Sequence, residues 1–174
     1  MTTTDSVILA REASAACTGG LAFDLGTGAG EVPRLVSEMN GSIVWIGLDT
    51  CPESLRLSRG AVLPVLAGVG QVPALFPVGI ADLVTANPPY FVSGSGRPSP
   101  DPAREGARRG GALLLYLFVF AAAHLLKPDG VFLLTFRWGA ERDMETAVRA
   151  SGIRLSGIGR HGRTGLLTGL GRPA

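Results

Sequence analysis

Little in this chain points to metal chemistry or to an oxidising compartment. It has two cysteines, Cys17 and Cys51, with no CxxC pair and no histidine beside either. That usage argues against a zinc site and fits a reduced cytosolic interior. Charged residues are only 17% and hydrophobic ones 46%, which excludes a disordered chain. The opening Met1-Thr2-Thr3-Thr4-Asp5 lacks a basic stretch followed by an apolar run. No signal peptide is legible, and a cytoplasmic location is expected. One apolar run, ALLLYLFVFAAAHLL over 112–126, contains His124 and is followed by Lys127 and Asp129. It is shorter than the ~20 residues a bilayer needs, so it reads as a helix buried against a sheet. No membrane partner is expected. The chain also lacks GK[ST], which argues against a triphosphate-binding loop. Its main glycine cluster is not a dinucleotide fingerprint, because Glu31 stands where GxGxxG needs a small residue.

What is present fits one domain over residues 1–174, long enough for a sizeable core. The 25 glycines imply many tight turns. Net charge is only +2, but it is unevenly spread. Residues 1–96 hold four arginines and eight acids, or −4, while residues 97–174 hold twelve Lys/Arg and six acids, or +6. Such asymmetry suits a basic face turned to a polyanion, although scattered arginines can also simply solubilise an apolar chain.

Apolar periodicity gives alternating elements. A helix capped by Asp5 runs to residue 16, a strand covers 21–23, and a helix covers 31–39 with Val32, Leu35, Val36 and Met39 on one face. Strands follow at 42–48, 61–67 and 81–86, with a short helix at 52–59. A Gly/Pro/Ser-rich loop spans 91–111 before the apolar helix. After the turn Lys127-Pro128-Asp129-Gly130 come a strand at 131–136, a helix at 141–150, and two short strands at 153–158 and 164–168. This alternation predicts an α/β fold: a doubly wound, mostly parallel seven-stranded sheet in a three-layer αβα arrangement. Ligands of such sheets sit beyond the carboxyl ends of the strands. Asp24, Asp49 and Asn87 all fall there.

The first motif is Asp24-Leu25-Gly26-Thr27-Gly28-Ala29-Gly30. Its glycines let the backbone turn sharply and approach a ligand closely. Asp49, about 20 residues on, can accept the two hydroxyls of a ribose, or cap the helix that follows. Asn87-Pro88-Pro89-Tyr90 is the most informative, because it resembles motif IV of amino-methyltransferases, whose targets include adenine amines. An exocyclic adenine amine is a poor nucleophile because its lone pair is delocalised. The Asn87 side-chain oxygen and the Pro88 carbonyl can accept its two N–H bonds and favour a pyramidal nitrogen. Proline stiffens that turn. Tyr90 can stack on the base. Trp138, His124 and His161 are isolated and read as packing or surface. Arg137 follows the fifth strand, where a substrate could reach it.

The Asp24 turn resembles motif I of class I methyltransferases, and Asn87-Pro88-Pro89-Tyr90 resembles motif IV of their amino-methyltransferases. The stretch from Phe91 through GSGRPSPDPAREGAR narrows the likeness. With Thr3-Thr4-Asp5-Ser6 at the start and Leu125-Leu126-Lys127-Pro128-Asp129-Gly130 later, it resembles the bacterial family that methylates N6 of adenine 37 in a valine tRNA. The resemblance covers most of the chain. It implies S-adenosyl-L-methionine as cofactor, held by Asp24, Gly26, Thr27, Gly28, Gly30, Asp49 and Asn87. It implies catalysis by Asn87, Pro88, Pro89 and Tyr90. It also implies RNA, most specifically tRNA, as partner, facing Phe91, Arg97, Arg104, Arg108 and Arg109.

The sequence departs from that family at Gly68, where the family has an acid for the cofactor's adenine amine. One missing hydrogen bond would weaken binding by about 1 kcal/mol, or about tenfold at most. Gly110 also replaces a glutamate. Three alternatives stand beside RNA adenine methylation: glutamine-N5 methylation of a protein, adenine methylation of DNA, and a catalytically weakened RNA-binding homologue. The oligomeric state is not legible in the sequence.

Overall fold

The computed structural model describes residues 3–88 and 102–172, and for 102–112 the backbone alone. Thr3 starts the first helix, α1 (Thr4–Ala16), because its hydroxyl accepts the Ser6 N–H. The cap is therefore Thr3 rather than Asp5, which lies in the first turn, where a carboxylate favours the helix dipole. Strand β1 (Gly20–Leu25) leads through the glycine turn into α2 (Glu31–Met39). Val32 and Val36 of α2 are buried as the periodicity requires, but Met39 is exposed, since the helix ends there beyond the edge of the core. Then come β2 (Ile43–Asp49), α3 (Pro52–Leu57) and β3 (Leu63–Leu66).

Two small elements escape the periodicity. A single 3-10 turn (Val69–Gln71) and α4 (Val72–Leu75) lie between the expected strands at 61–67 and 81–86, where the sequence reading places no element. Pro73 sits in the first turn of α4, where its missing N–H costs nothing. Strand β4 (Ala81–Ala86) follows.

The largest difference from the sequence reading is α5 (Pro102–Leu125), which begins ten residues before the apolar run. Proline at the helix start, with Ala, Arg and Glu behind it, outweighs the glycines of that stretch. Arg104, Arg108 and Arg109 therefore lie on a helix, not on a loop. Nor is the apolar helix buried all round: Leu113 and Phe120 are exposed. Among the described residues no helix is long and apolar enough to cross a membrane. Strand β5 (Leu126–Arg137), helix α6 (Glu141–Ser151), and the hairpin of β6 (Arg154–His161) and β7 (Thr164–Leu170) complete the chain. The expected turn 127–130 falls inside β5, as an irregularity between the Ala81–Leu126 and Leu83–Val131 pairings.

The seven strands form one sheet in the order β3-β2-β1-β4-β5-β7-β6. β1 to β5 pair in parallel, and β7 runs antiparallel to both β5 and β6. Strand alternation feeds two cores. On one face Leu9, Ala10 and Ala13 of α1 and Val32 and Val36 of α2 pack on Ala22, Leu83 and Leu133. On the other, Val119 and Ala122 of α5 and Ala147 and Val148 of α6 pack on Phe23, Val84 and Phe132. This is the expected three-layer αβα fold. The strand order reverses between β1 and β4, which opens a crevice at their carboxyl ends. At the opposite end, Asp82 of β4 accepts the Leu21 N–H at 2.9 Å and pairs with Lys127 at 2.7 Å. That brace ties β1, β4 and β5 together away from the site. A Cβ at Gly20, whose φ is +100°, would run into the Asp82 carboxylate.

Candidate functional site

Parallel register brings the motif residues to one height. Leu25 pairs with Leu48 on one side and Ala86 on the other, so the next residue in each chain lies on one rim. Those residues are Gly26, Asp49 and Asn87. Asp24, one step below, is buried inside β1 rather than beyond it, at 3% exposure.

Asp24 is an anion in an apolar sheet. Burial is the main force on it and raises its carboxyl to a pKa of about 6. The hydroxyls of Thr85 and Thr27 oppose that rise, and the Asp49 charge adds to it. Thr85 Oγ1 donates to Asp24 Oδ1 at 2.6 Å. Thr27 Oγ1 is close enough to favour the carboxylate but makes no well-formed hydrogen bond; it is buried and unpartnered. Among the described residues it has no well-formed partner, so it keeps capacity to donate or accept a further hydrogen bond.

The glycine turn is held open by its conformation. Gly26, Gly28 and Gly30 all have positive φ, at +70°, +54° and +76°. A side chain at Gly28 would meet no atom of the described residues within 4 Å, so the turn is open on that side. The other side of the turn is packed: a Cβ at Gly30 would press on Ser58 at 3.0 Å.

Asp49 ends β2. Its Oδ2 accepts the Gly28 N–H and its Oδ1 accepts the Cys51 N–H, each at 2.8 Å. The bond to Cys51 is local, since α3 itself has no side-chain cap. Asp49 thus clips the glycine turn to the start of α3 and keeps one further lone pair on each oxygen.

Asn87 follows β4 and is anchored from two sides. Thr135 of β5 donates to Asn87 Oδ1 at 2.7 Å, and Asn87 Nδ2 donates to Ser6 Oγ at 3.4 Å. Ser6 Oγ in turn lies 2.8 Å from Thr3 Oγ1. The start of α1 is also tied down by a hydrogen bond between Asp5 and Thr164. Ser6, Thr85 and Thr135 were not picked out from the sequence. The only available signal was a lone hydroxyl in an apolar strand, as in ADLVTA and VFLLTF. Their partners are 48 to 81 residues away, which no local pattern discloses.

Pro88 is buried next to Asn87. Pro89, Tyr90, Phe91 and Arg97 lie outside the described residues, as do the side chains of Arg104, Arg108 and Arg109. His124 packs, with its Nε2 2.8 Å from the Phe76 carbonyl. Gly68 lies just after β3, and its N–H is taken by Gln71 Oε1 at 2.8 Å.

The fold that carries this rim is shared with solved structures. TrmN from Thermus thermophilus superposes with a TM-score of 0.72 at 21% identity, over 95% of this chain and 48% of that one. A ribosomal protein L11 methylase from Lactobacillus delbrueckii subsp. bulgaricus gives 0.71 at 14%, over 98% and 80%. A TehB-like SAM-dependent methyltransferase from Corynebacterium glutamicum gives 0.65 at 16%, over 94% and 86%. The fold is that of the class I methyltransferases. This chain spans about half the length of the TrmN structure. No protein-family model matches the sequence, and no curated protein matches it significantly.

Proposed function

We propose that residues 1–174 form one methyltransferase domain that moves a methyl group from S-adenosyl-L-methionine to an exocyclic amine. The substrate we assign is N6 of an adenine in RNA, specifically tRNA, in the cytoplasm. The observation that carries this reading is the anchoring of Asn87. Its amide is fixed by Ser6 and Thr135 on the same rim as the glycine turn and Asp49, and its oxygen keeps a second lone pair.

The residues present fit the cofactor. The open side of the turn at Gly28 accommodates a ligand against the backbone. The unpartnered Thr27 hydroxyl and the buried Asp24 carboxylate suit the amino-acid end, whose ammonium would offset the cost of the buried anion. The spare lone pairs of Asp49 suit the ribose hydroxyls. When bound, the cofactor supplies an electrophilic methyl on a sulfonium. Asn87 Oδ1 accepts one N–H of the target amine, and the Pro88 carbonyl accepts the other. Together they draw the nitrogen towards a pyramidal shape and aim its lone pair. Fixed acceptors need no reorganisation during transfer, so positioning and preorganised dipoles carry the rate. Solvent then takes the proton. Tyr90 would stack on the base, and Pro89 would stiffen the turn. Phe91, Arg97, Arg104, Arg108 and Arg109 are assigned to the RNA on the strength of the sequence resemblance. The likeness in fold to TrmN is compatible with an RNA substrate and does not specify one.

The test is transfer of radiolabelled methyl from S-adenosylmethionine to unmodified tRNA transcripts, with nucleoside analysis of the product. N6-methyladenosine is expected. Label on protein glutamine alone would replace this substrate with a protein.

A further inference from the structure

The proposed RNA reading leaves one group of residues unused, at the end of the sheet next to Asn87. Arg137 is the last residue of β5 and Trp138 follows it. Arg160 and His161 end β6, and Arg163 precedes β7. Register joins them: Arg137 pairs with Thr164, and Thr164 with His161, in one rung across β5, β7 and β6. The Trp138 N–H donates to the Arg163 carbonyl at 2.9 Å, locking the residue after β5 to the hairpin tip. The Arg160 guanidinium lies over the Trp138 ring, 5.0 Å from its centroid. Arg137, Arg160, His161 and Arg163 are all exposed and Trp138 is half-buried. None of the three arginines has an ion-pair partner among the described residues.

The nearby acids are accounted for. Glu141 Oε1 accepts the Gly139 N–H at 2.9 Å, and Asp5 is hydrogen-bonded to Thr164. Asp143 lies further along α6, in its first turn.

This group lies close to the proposed chemistry. Thr135, which holds Asn87, is two residues before Arg137 on the same strand. Alternation puts both side chains on one face, about 7 Å apart along the strand. A strand whose base enters at Asn87 therefore meets Arg137 within a nucleotide or so. Register puts Arg160 on the other face, in line with Gly165 and Phe136, so the strand crosses the end of the sheet to reach the Trp138–Arg160 stack.

We infer that the ledge of Arg137, Trp138, Arg160, His161 and Arg163 is the docking platform for the single-stranded nucleotides flanking the target adenine. Arg137 and Arg163 take phosphates, and the Trp138–Arg160 pair takes a base by stacking. Cation and aromatic together are what sequence-tolerant strand binding requires. The uneven charge of the chain thereby gains a location. This inference rests on the RNA reading above, but it can fail separately.

The test is fluorescence anisotropy of a labelled, unmodified tRNA transcript titrated with the protein at several salt concentrations. The double variant Arg137→Ala/Arg163→Ala should bind at least about tenfold more weakly. Its salt slope should be shallower by about 1.4, the share of two phosphates on a single strand. Trp138→Ala should lose about 5- to 100-fold. Arg11→Ala/Arg149→Ala removes the same charge from exposed helix positions and should change affinity far less. Intrinsic fluorescence gives an independent readout. Of the two tryptophans Trp45 is buried, so quenching by RNA should vanish in Trp138→Phe. If the wild type binds and the ledge variants match it, the ledge is overturned and the RNA reading stands. If the wild type binds no RNA at low salt, both are overturned.

Discussion

Strands β1, β2 and β4 end in acceptors, whereas β5 and β6 end in donors. Asp49 and the Asn87 oxygen line one side of the rim, with Asp24 buried one step below them; Arg137, Arg160, His161 and Arg163 line the other. The two sides differ in build as well as charge. The acceptor side is braced: Asp24 is buried, Asp49 clips the glycine turn, and Asn87 is anchored from two elements. The donor side is exposed and held mainly by hairpin backbone bonds and one cation–π contact. A braced acceptor set suits a small cationic cofactor and a fixed amine. An exposed cationic ledge suits a long, adaptable polyanion. The boundary falls between β4 and β5, where Thr135 reaches across to Asn87.

Breaking the acceptor side should have the largest effect. Asn87→Ala should lower the rate of transfer by about 10²- to 10³-fold, the usual loss for one preorganised group. Cofactor binding, measured separately by calorimetry, should stay nearly intact. Equal loss of both would remove Asn87 from its assigned role.

Asp24→Asn sharpens the contrast between binding and stability. The carboxyl titrates near 6 in the folded protein and near 3.8 unfolded, so the folded state holds its proton more tightly. Its contribution to stability is therefore fullest below pH 3.8 and is lost as pH rises through about 6. Above that, the buried charge costs up to about 3 kcal/mol. Asparagine removes the charge and can still accept from Thr85. The variant should resist denaturant better than wild type at pH 8, with the advantage shrinking towards pH 4, while binding the cofactor less well. A gain that does not depend on pH would contradict the buried-anion account.

Breaking the bridge between the sides should have a smaller effect. Thr135→Val keeps the shape and loses the hydrogen bond, a cost of about 1 kcal/mol or somewhat more. The rate should fall about tenfold with cofactor affinity unchanged, and Thr135→Ser should restore it. No rescue by serine would mean that packing, not the hydroxyl, matters.

The smallest effect is a gain. The backbone at Gly68 (φ −81°, ψ 152°) suits any residue, and a Cβ there meets only ordinary contacts at 3.6 and 3.8 Å. Gly68→Asp should tighten cofactor binding up to about tenfold. Competition with an analogue lacking the adenine amine would show whether the gain comes from that group.

Much of the acceptor side was legible in the sequence, because it is local. Gly30 and Asn40 punctuate α2, whose bounds match the periodicity, and β4 ends at the residue before Asn87-Pro88. The first cap was misplaced by two residues, since Thr3 and Asp5 are both able caps and only the fold decides between them. The start of α5 was missed because its glycines read as loop. The supports of Asn87 and Asp24 were invisible because they are contacts between distant strands and helices. The donor side was visible only as isolated residues. Arg137, Trp138 and His161 look unremarkable singly, and only the pairing of β5, β7 and β6 brings them together.

The central claim is that the braced rim binds S-adenosylmethionine. Calorimetric titration of the purified protein with that cofactor tests it most directly. One site with a dissociation constant between about 1 and 50 µM is expected, the weaker end reflecting Gly68. No heat of binding at millimolar cofactor would contradict it and leave the fold without the proposed chemistry.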